Sequence, residues 1–284
     1  MKKILVLTDF SKKAERATAL ALRIAKKTNS EILLYNAFEI PITEAYPYYE
    51  AYELIEKQNL GRLQRFGVNT INKVVKSPDA KLPKVRYLNE PGSVGSNIKG
   101  LLHYQKNVWL IIMGYKNKSE APINTFIFGS NTYEVIANAQ VPILFVSEKQ
   151  DVHYIKTIAF ASELAEDDIK AMETIVNFAS PLNARIIVTH VCRRKLSIGE
   201  KVNHLTAFNK VVKKINYEDV AYEDIVGENT TKALARFCKK EHIDLLVMQH
   251  KKYPFFERLF HSSVTWAMQQ YQNIPLLLLP PKFS

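Results

Sequence analysis

The sequence predicts an α/β protein: two tandem doubly wound, Rossmann-like domains, each with a five-stranded, mainly parallel sheet. Three observations carry this expectation. The chain passes through the same series of landmarks twice, its strand-like runs are apolar on both faces as parallel strands are, and helical stripes alternate with them.

The first landmark is a short apolar run ending at an acidic residue, Ile4 to Asp9 and again Ile158 to Glu163. Each leads into a helix. Ser11 is placed as the N-cap of the first, whose stripe is Ala14, Ala17, Ala21 and Ile24; Ile169, Met172, Val176 and Ala179 make the corresponding stripe. Next come the buried strands Glu31 to Ala37 and Arg185 to Val191. The third pair is Lys84 to Leu88 and Asp219 to Ile225, followed by Gly92 and Gly227 ahead of helices at 94–105 and 230–241. Val108 to Gly114 matches Ile243 to Gln249, and Val141 to Val146 matches Ile274 to Leu279, each of the last pair with a proline where a strand begins. The polar segment Ser147 to Tyr154 separates the copies, which sets domains at 1–149 and 150–284. One difference stands out. An aromatic stretch from Glu39 to Leu60 opens as a loop and continues as a long helix to about Lys76, and the second copy lacks or shortens it.

Composition limits the function. With 47% hydrophobic and 24% charged residues the chain carries enough apolar material for two cores. Its two cysteines, Cys192 and Cys238, imply no disulfide framework and a reducing, cytoplasmic setting. The opening apolar run is too short for an export signal or a membrane span, so no membrane association is expected. A net charge of +11 permits attraction to anions, but the lysines and arginines are scattered along amphipathic segments, which argues against nucleic acid as the partner.

The order of strand, Asp, Phe-Ser helix, Leu-Leu strand, Gly helix, Met-Gly strand, Gly-Ser helix and Val-Pro strand resembles the universal stress proteins, a family with an adenine nucleotide alpha hydrolase-like fold, over nearly the whole chain, twice. That resemblance implies a non-catalytic stress-response protein in which ATP or another adenine nucleotide binds through a glycine motif, together with any cation the nucleotide brings. Glycines let backbone N–H groups approach phosphate oxygens, and a following helix N-terminus favours the anion. Carried across, Asp9 faces the base or ribose, Asn36 offers backbone near adenine, Met113 and Gly114 end the fourth strand, Asn117 takes the second glycine position, and Gly129, Ser130, Asn131 and Thr132 hold phosphates. The spacer from Lys118 to Phe128 is longer than the family's, and Lys116 and Lys118 add charge. In the second copy Gln249, Lys252 and His261-Ser262 replace the glycine positions, which predicts a degenerate site. The resemblance also implies that the two domains pair as a covalent pseudo-dimer, with room for a homodimer.

Asp9 has a bland role as a cap beside the first helix, and Gly114 and Gly129 as tight turns. His190 and Cys192 share a strand face and His250 lies at a nearby strand tip, but without a fourth close ligand they predict no metal site. Ser130 and Ser262 sit in no nucleophile elbow, and no catalytic residue is assigned. Tyr46, Tyr48, Tyr49 and Tyr52 offer the alternative function, a nucleotide-independent module that binds an unknown protein partner.

Overall fold

A computed structural model describes residues 1–40, 48–75, 82–115, 130–148, 154–165, 168–249 and 274–280, the side chains of 48–51, 130 and 131 excepted. The first half runs β1 (Lys3–Leu7), α1 (Lys12–Thr28), β2 (Glu31–Phe38), α2 (Tyr48–Val74), β3 (Val85–Pro91), α3 (Val94–Tyr104), β4 (Val108–Tyr115), α4 (Ser130–Asn138) and β5 (Ile143–Ser147). The second runs β6 (Thr157–Ala161), α5 (Asp168–Ala179), β7 (Arg185–Cys192), α6 (Ile198–Val212), β8 (Val220–Val226), α7 (Thr230–Lys240), β9 (Leu245–Gln249) and β10 (Leu276–Leu279). These form two compact units, β1–β5 with α1–α4 and β6–β10 with α5–α7.

Within the first unit the strands lie side by side in the order β3-β2-β1-β4-β5, and within the second in the order β8-β7-β6-β9-β10. All the pairings inside each unit are parallel. Parallel neighbours require crossover helices, and right-handed crossovers that first run one way and then the other place helices on both faces. In the first unit α1 packs beside α2 over β4, β5 and β2, while α3 packs against α4. The central strand is therefore covered on both sides: Ile4, Leu5 and Val6 are wholly buried.

The cause of each helix is local. Ser11 caps α1 by accepting from the Ala14 amide, and Ala14, Ala17, Ala21 and Ile24 are buried as the apolar stripe requires. In α5 the buried face is Ala171, Met172, Ile175, Phe178 and Ala179, with Ile169 and Val176 only half-buried. That helix is rotated from the stripe expected at Ile169 and Val176, because Asp168, the first helical residue, is itself turned inward and buried. The glycine-serine segment after β3 is a helix entry: Gly92 has φ +101° and Ser93 caps α3 by accepting from the Ser96 amide. Pro142 and Pro275 stand just ahead of β5 and β10, and their carbonyls accept from Ile111 and Leu246 of the neighbouring strands.

The aromatic stretch enters α2, a 27-residue helix, whereas its counterpart α6 has 15 residues, so the second copy has the shorter element. Tyr46 lies outside the described residues, as do the side chains of Tyr48 and Tyr49. Elsewhere the repeat reaches the level of single dihedrals. Phe10 and Leu164 follow the first strands at φ 64° and 58°, Asn29 and Asn183 precede the second strands at 48° and 52°, and Asn107 and His242 precede the fourth at 70° and 49°.

Candidate functional site

The strand order reverses beside the first strand of each unit, since β2 and β3 lie to one side of β1 while β4 and β5 lie to the other. In an open parallel sheet the crevice outside the carboxyl ends at that point is the natural ligand position, because the two crossovers diverge there and leave it uncovered. Leu7 pairs with Met113 and Tyr35, so the chain leaving β1 at Thr8 and Asp9 and the last residues of β4, Gly114 and Tyr115, flank that crevice.

A tight turn shapes it. The Thr8 hydroxyl accepts from the Phe10 amide at 3.0 Å, with Phe10 at positive φ, and the Asn36 amide donates to the Thr8 carbonyl at 2.8 Å. Asn36 is buried, so its side chain binds the β1 tip rather than solvent. The Asp9 side chain is 54% exposed; it accepts from the Lys13 ammonium at 2.6 Å, from the Ser11 amide at 3.1 Å and from the Ser11 hydroxyl. Burial works against the charged form, but the Lys13 ammonium and the Ser11 donors overcome it and hold the Asp9 carboxyl below its ordinary value. The Arg62 guanidinium lies 4.2 Å from the centroid of the Phe10 ring, which adds a cation from α2 to the same tip.

Gly114 has a structural cause of its own. A Cβ there would come within 2.7 Å of the Lys13 carbonyl carbon, 2.8 Å of its oxygen and 2.9 Å of the Ala14 nitrogen, so only glycine lets the first turn of α1 lie on β4. Met113 is buried beside it. Thr132 is half-buried in the first turn of α4, and the backbones of Ser130 and Asn131 open that helix. Asn117, Gly129, Lys116 and Lys118 lie outside the described residues.

The second unit repeats the turn with different side chains. The Ser162 hydroxyl accepts from the Leu164 amide at 2.8 Å, and His190 Nδ1 donates to the Ser162 carbonyl at 2.9 Å, in the place of Asn36. Glu163 takes the position of Asp9 and Gln249 that of Gly114. Gln249 is half-buried there, so the second unit holds a side chain where the first holds none. Lys252, His250, His261 and Ser262 lie outside the described residues.

Cys192 and His190 do not come together as ligands. Cys192 instead meets two residues the sequence reading passed over, His204 of α6 and Asp224 of β8. Burial and the Asp224 carboxylate push its thiol up to about 11. Burial, together with the same carboxylate, also raises the Tyr222 phenol. Cys238, in α7, is buried elsewhere, and burial pushes its thiol up to about 12.

Two five-stranded parallel units, each with an acidic residue just past its first strand where the strand order reverses, define a tandem doubly wound α/β protein. The Universal stress protein family profile matches residues 1–147, and the chain belongs to that family. A universal stress protein from Archaeoglobus fulgidus is similar to it over 99% of this chain and 98% of that one, at 14% identity and a TM-score of 0.71. A putative universal stress protein from Pseudomonas aeruginosa covers 99% of this chain and 94% of its own, also at 14% identity, with a TM-score of 0.57. At that identity the likeness is one of fold. No curated protein matches the chain. Among the described residues no helix is long and apolar enough to cross a membrane.

Proposed function

We propose that this chain is a non-catalytic regulatory protein of the stress response whose first unit binds an adenine nucleotide, the second unit serving as a degenerate partner. The observation that carries the reading is the Asp9 carboxylate, ionised and half-exposed at the reversal between β1 and β4. An ionised carboxylate at the tip of the first strand is suited to accept from ribose hydroxyls or an exocyclic amine. Asn36 and Thr8 fix the turn that presents it, Met113 and Gly114 floor the crevice, and the first turn of α4 at Ser130, Asn131 and Thr132 supplies amide donors for phosphates. Lys13 and Arg62 add positive charge near the tip.

The second unit is the weaker candidate, because Gln249 carries a side chain where the first unit has Gly114. Nucleotide at about a hundred times its Kd adds about 2.7 kcal/mol to the unit that binds it, which raises its melting temperature on the order of 5–10 °C. With ATP the wild type is expected to show that rise and Asp9→Ala to lose most of it. An equal rise in both proteins removes Asp9 from the site.

A further inference from the structure

The second unit holds a cluster that lies outside its strand-reversal crevice. Cys192 ends β7, His204 lies in the middle of α6 and Asp224 lies in β8, and one ligand atom from each stands within 4.8 Å of the other two. Cys192 Sγ is 3.6 Å from Asp224 Oδ1, and His204 Nδ1 is 2.8 Å from the same oxygen. The Tyr222 hydroxyl donates to that oxygen as well, at 2.5 Å. Three donors thus crowd one carboxylate oxygen in a partly closed place: Cys192 is 6% exposed, and the His204 and Asp224 side chains 24% and 16%.

We propose that Cys192, His204 and Asp224 form a binding site for one divalent transition-metal ion of the zinc class, with solvent in the fourth position. Ligand bonds of about 2.3 Å to sulfur and about 2.0–2.2 Å to nitrogen and oxygen set tetrahedral edges of roughly 3.4–3.6 Å. The sulfur-to-oxygen edge already has that length, and the nitrogen-to-oxygen edge needs to open by about half an ångström. A thiolate with an imidazole selects zinc or cobalt over magnesium or calcium. Charge balances too: the thiolate and the carboxylate neutralise the ion, the Cys192 thiol gives up one proton, and the His204 proton moves to Nε2.

The surroundings support the ligands. His190, fixed by its bond to the Ser162 carbonyl, packs edge-on against His204 with ring centroids 5.1 Å apart, and the Tyr222 phenol stays bonded to Asp224. Among the described residues the first unit has no such set. Its residues at the equivalent register are Phe38 and Asn89, and Asn89 donates to the Glu56 carbonyl instead. A bound ion would therefore clamp α6 onto β7 and β8 of the second unit.

The test is a titration of the reduced, chelator-treated full chain with Co2+. The expected result is one equivalent bound, with a thiolate-to-cobalt charge-transfer band, visible bands of a tetrahedral ion, and displacement by Zn2+. Cys192→Ser abolishes the charge-transfer band, His204→Gln weakens binding at least tenfold, and Cys238→Ser matches the wild type. X-ray absorption of the zinc-loaded wild type, which needs no variant to fold, shows one sulfur ligand per ion. Absence of the band at one equivalent, its survival in Cys192→Ser, or a sulfur count other than one overturns the proposal.

Discussion

The backbone of Lys13 lies against the α-carbon of Gly114, so close that a Cβ would stand 2.7 Å from the Lys13 carbonyl carbon. Backbone cannot rotate out of the way as a flexible side chain can. Gly114→Ala is therefore expected to push α1 off β4 and to cost about 1–3 kcal/mol. Gln249→Ala, at the equivalent place in the second unit, is expected to cost less, because a Cβ is already accommodated there. Urea midpoints compared at constant m-value measure both.

Glu200 closes a capping box at the start of α6. It accepts from the Ser197 amide at 2.8 Å, and Arg194 Nη2 bonds it at 2.6 Å. The Arg194 guanidinium, with the Ser197 donors, holds its carboxyl at about 2, below an ordinary value of 4.5. A depressed folded pKa gives stability that is present above 4.5 and is lost as pH falls toward 2. Wild type and Glu200→Gln should accordingly differ most above that window and converge toward its lower end. Denaturant melts of both proteins across the acid range check the sign; a difference that grows on acidification contradicts it.

Cys238 is expected to resist alkylation in the folded protein, since burial keeps its thiol protonated and closes it to reagents. In Cys192→Ser it is the remaining thiol. Labelling of that variant should be slow in buffer and complete once the chain is unfolded. Fast labelling in buffer would place Cys238 at an accessible surface.

The repeat could be read from residues because parallel strands covered on both faces need unbroken apolar runs such as Ile4 to Leu7 and Leu245 to Val247, which few other structures require. The acidic tips were legible for the same reason, each standing where such a run stops. Side-chain phase was harder. The α5 stripe is displaced because the buried Asp168 accepts from Ser162 and from the Ala165 amide, a local bond that hydrophobic periodicity does not register. The cluster of Cys192, His204 and Asp224 carries no short motif, since its members come from β7, α6 and β8 and meet only when α6 packs on β8. Ser197 and Glu200 did carry a signal, the capping-box spacing.

The claim that the first unit holds an adenine nucleotide is tested most directly by the mass of the purified chain under native conditions, set beside that of its denatured extract. The proposed function predicts an added mass of one adenine nucleotide per chain after incubation with ATP, recovered as that nucleotide on denaturation and absent from Asp9→Ala. A chain that stays at its bare mass in excess ATP contradicts it.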